Sequence, residues 1–544
     1  MLGINYTKTY PVQLNILEKQ YLDENVENND LAYKYNPFAI ENIQLYNPIY
    51  SAFFEMTPHN VDRVALNHSY HIADLHTVVN LETKEPIHRD IFIKFSPILD
   101  PYHYMCGRYD VTDSKIRTLP NLNSTSETVH PKMLLQNNAS YVDCFFNYLS
   151  SSLLHKHGFV NGVDFYGSFL GIQKLFRVEI TDDLGYLYGS NFFNSNLGRL
   201  FHVNNTENPF LHMNGGEGSR RNKQRLQINN TTSHNVSGIS IVDLEEIEPT
   251  METSDNYEVV YTRSNSSKSS STESSQDEDD DGSTESSQDE ADDEVHAYIN
   301  DFPVQMICLE KCRGTLDQLF TDNLIDQDIG ASALFQIIMS LLTYQKAFKF
   351  THNDLHTNNV MYIETDIEYL YYKYENIRYR VPTYGRIFKI IDFGRGIYKF
   401  QNNLFCSDSF ASGGDAATQY NFEPFINTKK PRLEPNYSFD LARLGSSIFD
   451  FILDSDTKFD DMDEFQKTIH RWCLDNNGRN ILYKKNGQER YPNFKLYKMI
   501  ARTVSNHTPE AQLEFELFKQ YAVSKEDDLG TCAIFDIDSL PVYI

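Results

Sequence analysis

Three residues in the second half of the chain have the types and spacing for phosphoryl chemistry. Residues 352–359 read His-Asn-Asp-Leu-His-Thr-Asn-Asn, and residues 392–394 read Asp-Phe-Gly. Asp354 is a carboxylate that can accept a hydroxyl proton or orient that hydroxyl. Asn359, five residues on, and Asp392 each offer oxygen, the donor that a hard cation such as Mg²⁺ prefers. A proton acceptor beside two oxygen ligands is the polar equipment of a phosphoryl-transfer site. Lys94, inside the apolar run Ile91-Phe92-Ile93-Lys94-Phe95, adds a cation of the kind that contacts phosphate. A lysine on such a strand can equally sit at an edge with its charge in solvent.

These residues need rigid supports, and the hydrophobic pattern predicts them. Ser69–Leu81 alternates and is rich in β-branched residues, Glu82–Pro86 suits a turn, and Ile91–Phe95 suits a strand. This reads as a hairpin with Lys94 on its second strand. Tyr141, Phe145, Tyr148, Leu149 and Leu153 recur at three- and four-residue spacing, which predicts a helix over 138–157 ended by Gly158. Strands follow at Val163–Ile172 and Val304–Glu310. A helix is expected from about Thr315. A longer one from Asp328, as its N-cap, to about Phe350 buries Leu334, Ile337, Ile338, Leu341 and Leu342. Met361–Ile363 and Phe388–Ile391 read as short strands that hold Asn359 and Asp392. From residue 440 onward the pattern is mostly helical.

Residues 175–300 interrupt this order. Ser-Thr-Glu-Ser-Ser-Gln-Asp-Glu occurs at 271–278 and again at 283–290. Such a run cannot bury enough apolar surface to offset chain entropy, so about 253–296 is expected to be disordered. The repeat sets Glu or Asp three residues after Ser, a pattern for an acid-directed kinase or simply a solvated spacer. Residues 1–50, rich in Asn, Tyr and Pro, read as an extension on the first lobe.

The chain has 544 residues, room for two or three domains or lobes, with 35 Tyr and 36 Phe for a large core. Its net charge is −28, and it stays acidic without the 12 acidic residues of 271–294, which argues against broad nucleic-acid binding. The one basic cluster, Ser219–Arg225, reads as a solvated loop. No apolar run is long enough to suggest a membrane span, and no signal peptide is expected. Seven cysteines are scattered with no Cys-x-x-Cys pair, which fits an intracellular, reducing compartment.

The order of motifs resembles the protein-kinase-like superfamily over roughly residues 65–175 and 303–460. The pieces are Lys94, His352-x-Asp354-x-x-x-x-Asn359, Asp392-Phe-Gly and Asp440-Leu-Ala-Arg-Leu-Gly445. Their wording, with the Asn/Tyr-rich composition, looks most like serine/threonine-protein kinase-like proteins of giant DNA viruses, which would place the chain in host cytoplasm or virion. The resemblance implies an α+β, bilobal fold. A small β-rich N-lobe (61–313, after an extension over 1–60) precedes a mostly helical C-lobe (314–544), and the long disordered insertion falls in the former. It implies ATP and Mg²⁺ as cofactors and a protein Ser/Thr substrate. Asp354 and His356 are the catalytic candidates, Asn359 and Asp392 the metal ligands. Lys94, Asp143, Glu310 and Cys312 are the cofactor-binding positions. Asp440 would accept hydrogen bonds from the catalytic-loop backbone, and His352 would be structural.

The chain also departs from the family. Asp143 stands in the helix where the family pairs its lysine with Glu, one methylene longer. Asn353 replaces an Arg that usually grips a phosphorylated activation loop. His356 stands where Lys is usual and can supply positive charge or a donor there, but only when suitably protonated. No glycine appears between residues 4 and 106, so residues 56–68 must replace the glycine-rich phosphate turn or leave its work undone. Two other functions follow from these departures: a small-molecule or atypical kinase, and a pseudokinase acting as a binding scaffold.

Overall fold

Long apolar runs with β-branched and aromatic residues build the central sheet of this α+β protein. The computed structural model describes residues 4–9, 11–24, 35–61, 63–204, 295–453, 458–524 and 533–544. Four strands lie side by side in the order Ile40–Gln44, Phe165–Glu179, His296–Glu310, Ile91–Pro97, and Phe201–Val203 adds to the far half of the third. Every pairing is antiparallel. Lys94 lies opposite Ile307, on the strand at the end of this order.

The helix Ala139–His157 begins where the Asn138 side chain accepts the Ser140 N–H, and it ends at Gly158 with φ 73°. Residues 139–153 of it are buried. One hydrophobic core runs from the sheet through this helix into the helix Gln327–Phe348. At its centre the Phe146 ring stacks on Phe350 at 4.1 Å and meets Phe393 at 4.6 Å and Tyr344 at 5.1 Å. A second cluster joins Phe439 and Ala442 on the helix Phe439–Ile452 to Tyr497 and Ile500 on the helix Lys495–Thr503 and to Phe494, which precedes that helix. No helix among the described residues is long and apolar enough to cross a membrane.

Several expectations change. Residues 69–81 and 91–95 do not form a hairpin with each other. Tyr70–Asp74, Thr77–Asn80 and Pro86–His88 make a separate three-stranded sheet. The Lys94 strand instead makes seven register pairs with Val304–Glu310, a partner over 200 residues away that local periodicity cannot reveal. The strands read as Val163–Ile172 and Val304–Glu310 are longer, spanning Phe165–Glu179 and His296–Glu310. Their outer halves pair with each other and bury Phe176, Ala297 and Ile299. Order therefore continues past residue 175, through the short helices Leu184–Tyr188 and Asn191–Asn196. The acidic repeats and the basic cluster lie outside the described residues, as does all of 253–296 save Val295 and His296.

The first 50 residues are less of an appendage than expected. Tyr6–Lys8 pairs with Val64–Leu66, and Ile40–Gln44 is part of the central sheet. Asp326, not Asp328, caps the long helix by accepting the Ile329 N–H. The expected strands at 361–363 and 388–391 are present as Val360–Glu364 and Arg386–Ile390 and pair with each other. Between them the hairpin Tyr369–Tyr374/Ile377–Pro382 joins Ala522–Val523 and Ile534–Asp536 in a four-stranded sheet that the periodicity did not announce.

Candidate active site

The two motifs meet through their backbones. The helix Gln327–Phe348 stops at Lys349, φ 50°, and Thr351 then exchanges both backbone bonds with Ile397 at 2.9 and 3.0 Å. The next two N–H groups, of His352 and Asn353, donate to the two oxygens of Asp440 at 2.9 and 2.8 Å. Asp440 is fully buried on the helix Phe439–Ile452, so this carboxylate anchors the loop from below. His352 donates from Nε2 to the Ile391 carbonyl at 2.9 Å, and the Ile391 N–H donates to the Asn359 carbonyl at 3.0 Å. The ring is thus a strut between the loops, the structural role expected of it.

Asp354 is nearly enclosed. Its Oδ1 accepts the Tyr497 hydroxyl at 2.6 Å, and its Oδ2 faces Arg395 Nη1 at 3.4 Å. Burial alone would raise its pKa. Arg395, with Arg443 and the Tyr497 hydroxyl, outweighs that and holds the carboxyl below its ordinary value. Arg395 also pairs with Asp415 at 2.9 Å, and buried Arg443 lies over the Tyr497 ring at 4.9 Å. Burial pushes the Tyr497 phenol up to about 12, so it is a donor to Asp354 across the physiological range.

His356 differs from the expectation of a positive charge beside the reacting group. It is 5% exposed, and burial pushes its pKa down to about 4. Its Nε2 accepts the Asn359 amide at 3.1 Å, which requires the neutral ring. Asn359 gives its other amide hydrogen to the Asp354 carbonyl at 2.9 Å. Both donors are used, which leaves the amide oxygen as the acceptor. His356 therefore orients Asn359 rather than supplying charge.

Asp392 sits in the left-handed region, φ 60°, at the end of the strand Arg386–Ile390. Its Oδ1 lies 2.9 Å from Lys94 Nζ, and the same ammonium lies 2.7 Å from Asp143 Oδ2. Asp143 is fully buried, which removes its reading as a solvated helix residue. Its other oxygen accepts the Phe393 N–H at 2.8 Å. The shorter carboxylate reaches the lysine and also clips the Asp392 loop to the helix.

Glu310 closes the strand His296–Glu310, and Cys312 lies just beyond it. The Glu310 carboxylate forms an ion pair with buried Lys389 and accepts the Asp164 N–H, while its own N–H donates to the Asp164 carbonyl. Burial beside Glu310 pushes the Cys312 thiol up to about 12, so it stays protonated. At the end of the glycine-free residues 56–68, two backbone donors are already taken. The Asn67 and His68 N–H groups donate to the Asn5 and Leu66 carbonyls, and the Tyr148 hydroxyl donates to Asn67 Oδ1 at 2.6 Å. Those backbone donors face protein, not an open cradle.

Sequence reasoning missed Arg395, Asp415 and Tyr497. Arg395 directly follows Asp-Phe-Gly and carried that much signal. Tyr497 lies 143 residues from Asp354, and nothing local marks it.

No protein-family model matches the chain. A probable serine/threonine-protein kinase of Dictyostelium discoideum is similar over 98 residues at 39% identity, covering 16% of this chain and 8% of that protein. An uncharacterized protein of Invertebrate iridescent virus 6 is 26% identical over 222 residues, 39% of this chain and 33% of that protein. The matched segment is a third or less of the length of each relative.

Proposed function

We propose that the chain transfers the terminal phosphoryl group of Mg-ATP to Ser or Thr of a protein substrate. The observation that carries this reading is the convergence of Lys94, Asp143, the loop of Asp354 and Asn359, and Asp392, four separate segments, onto one site. The partial similarity to a probable serine/threonine-protein kinase agrees with it. On this reading the central sheet and the helix Ala139–His157 form the small lobe of a two-lobed kinase-like fold, and residues from 314 onward form the large one.

The residues fit the cofactor. Asn359 keeps an oxygen for a cation because its amide hydrogens are engaged, and Asp392 adds a carboxylate. Lys94 would turn from Asp392 toward phosphate oxygens while Asp143 keeps it in place. Bound Mg²⁺ would neutralise charge on the transferring group. Asp354, kept ionised by Arg395, would accept or orient the hydroxyl of the substrate. Its anchor, Asp440, keeps that carboxylate in register with Asn359. A reducing intracellular compartment suits the free thiols.

Incubating the purified chain with labelled Mg-ATP and generic protein substrates tests the reading. Asp392→Asn is expected to remove the label transfer, and labelling that survives it would belong to a contaminant. A non-catalytic binding role has one specific observation in its favour, the enclosure of Asp354 by Tyr497 and Arg395. Turnover that depends on Asp354 excludes it.

A further inference from the structure

The helix that carries Asp143 is tied at its N-terminal end to the segment that follows Asp392. The hairpin Ile397–Phe400/Asn403–Cys406 lies against it. From this hairpin the Tyr398 hydroxyl donates to the Val142 carbonyl at 2.9 Å, and the Phe405 ring meets Phe145 at 5.1 Å. Just beyond, the Asp408 Oδ1 accepts the Ala139 N–H at 2.9 Å, in the first turn of the helix. Its Oδ2 forms an ion pair with Lys132, and its own N–H donates to the Asn137 carbonyl at 2.7 Å. The Asp408 side chain is only 4% exposed. Asp143 lies one helical turn after Ala139, so the Asp408 contact is one turn from the group that holds Lys94 and Phe393.

We propose that Asp408 and Lys132 are positioning residues that hold Asp143 against Lys94 and the Asp392 loop with no covalent modification of residues 395–420. This rests on the kinase reading of the site. A helix N-terminus and a lysine are the donors that a phosphate added to such a segment would seek. Here a carboxylate already meets both. The segment's buried cation, Arg395, is likewise occupied by Asp415 and Asp354. Asn353, which has no charge to grip a phosphate, accepts the Tyr420 hydroxyl at 2.8 Å. These ordering contacts are made by residues the chain already carries.

Two measurements on the full chain test this. The first is hydrogen exchange in phosphatase-treated wild type, Asp408→Ala and Asp408→Glu. Asp408→Ala is expected to speed exchange in peptides covering both 139–147 and 392–397, with peptides of the helix Lys495–Thr503 unchanged. Asp408→Glu, which keeps the charge, is expected to restore part of the protection. Unchanged exchange at 392–397 in Asp408→Ala overturns the proposal. The second is turnover. The unmodified wild type is expected to be active, and Asp408→Ala is expected to raise KM for ATP and lower kcat/KM by roughly tenfold or more, the size set by about 1.4 kcal/mol of lost positioning. Activity that appears only after residues 395–420 are phosphorylated overturns the proposal too. If wild type neither binds nor turns over Mg-ATP in either form, the kinase reading falls, and the exchange experiment still decides whether Asp408 holds the Asp143 helix to the Asp392 loop.

Discussion

At the scale of single residues, Asp143 shows how little a side-chain class says without its surroundings. One methylene shorter than the expected Glu, it still reaches Lys94 at 2.7 Å and bonds the Phe393 N–H with its other oxygen. Removing it takes one carboxylate from the Lys94 ammonium, which keeps Asp392, and leaves the buried Phe393 N–H unpaired, a loss of about 1–3 kcal/mol. Asp143→Ala is expected to lower kcat/KM with Mg-ATP on the order of 10²-fold, with Asp143→Glu retaining more activity. Steady-state kinetics against ATP concentration checks this. The histidines divide in the same way. His352 and His356 look alike in the sequence, yet one is a strut to Ile391 and the other a neutral acceptor for Asn359. Burial settles the second, because desolvation disfavours the imidazolium.

At the scale of elements, the helix Ala139–His157 was legible because its signals are local. Its apolar spacing, the Asn138 cap and the Gly158 stop all lie within 21 residues. Gly158 has φ 73°, and nothing lies within 4 Å of the Cβ that alanine would add. Gly158→Ala is therefore a pure backbone-strain change and is expected to cost about 1 kcal/mol. A lowered denaturant midpoint with an unchanged slope would record it. The hairpin predicted for Lys94 failed because alternation predicts a strand but not its partner. The competing strand Val304–Glu310 offers seven pairs. The sheet built from Tyr369–Pro382 and two C-terminal strands was missed for the same reason.

At the scale of the whole molecule, two features have measurable consequences. Asn204 and His296 are joined by a backbone bond of 3.1 Å, although 91 positions separate them in the chain. Replacing residues 205–294 with a four-residue Gly/Ser linker is expected to leave the described fold in place. It should stabilise the protein by up to about 2–3 kcal/mol, since loop closure costs about 0.6 kcal/mol per doubling of length. Chemical denaturation of the two forms compares them. The second feature is a pair of buried histidines. Burial pushes His68 down to about 3 and lowers His71 as well. Both are then neutral when folded but bind protons near pH 6.5 when unfolded. Their contribution is whole above pH 6.5 and is lost as pH falls from there toward 3. His68 alone is expected to cost about 3 kcal/mol at pH 4.5 relative to pH 7. Urea midpoints at the two pH values measure the loss, and His68→Asn should flatten it.

Residue type, spacing and caps act over a few residues, so the sequence alone nominates groups for phosphoryl chemistry and reveals much of the helical scaffold. It marked Asp354, Asn359, Asp392 and Lys94 and placed the supports before and after them. Tertiary structure alone decided how those groups are held and charged. Asp440 beneath the loop, Arg395 and Tyr497 around Asp354, and Asp408 at the helix start are contacts between segments far apart in the chain. Charge state follows from burial, and burial follows from the packing of distant elements. That is why His356 could be located from the sequence but its neutrality could be known only from the fold.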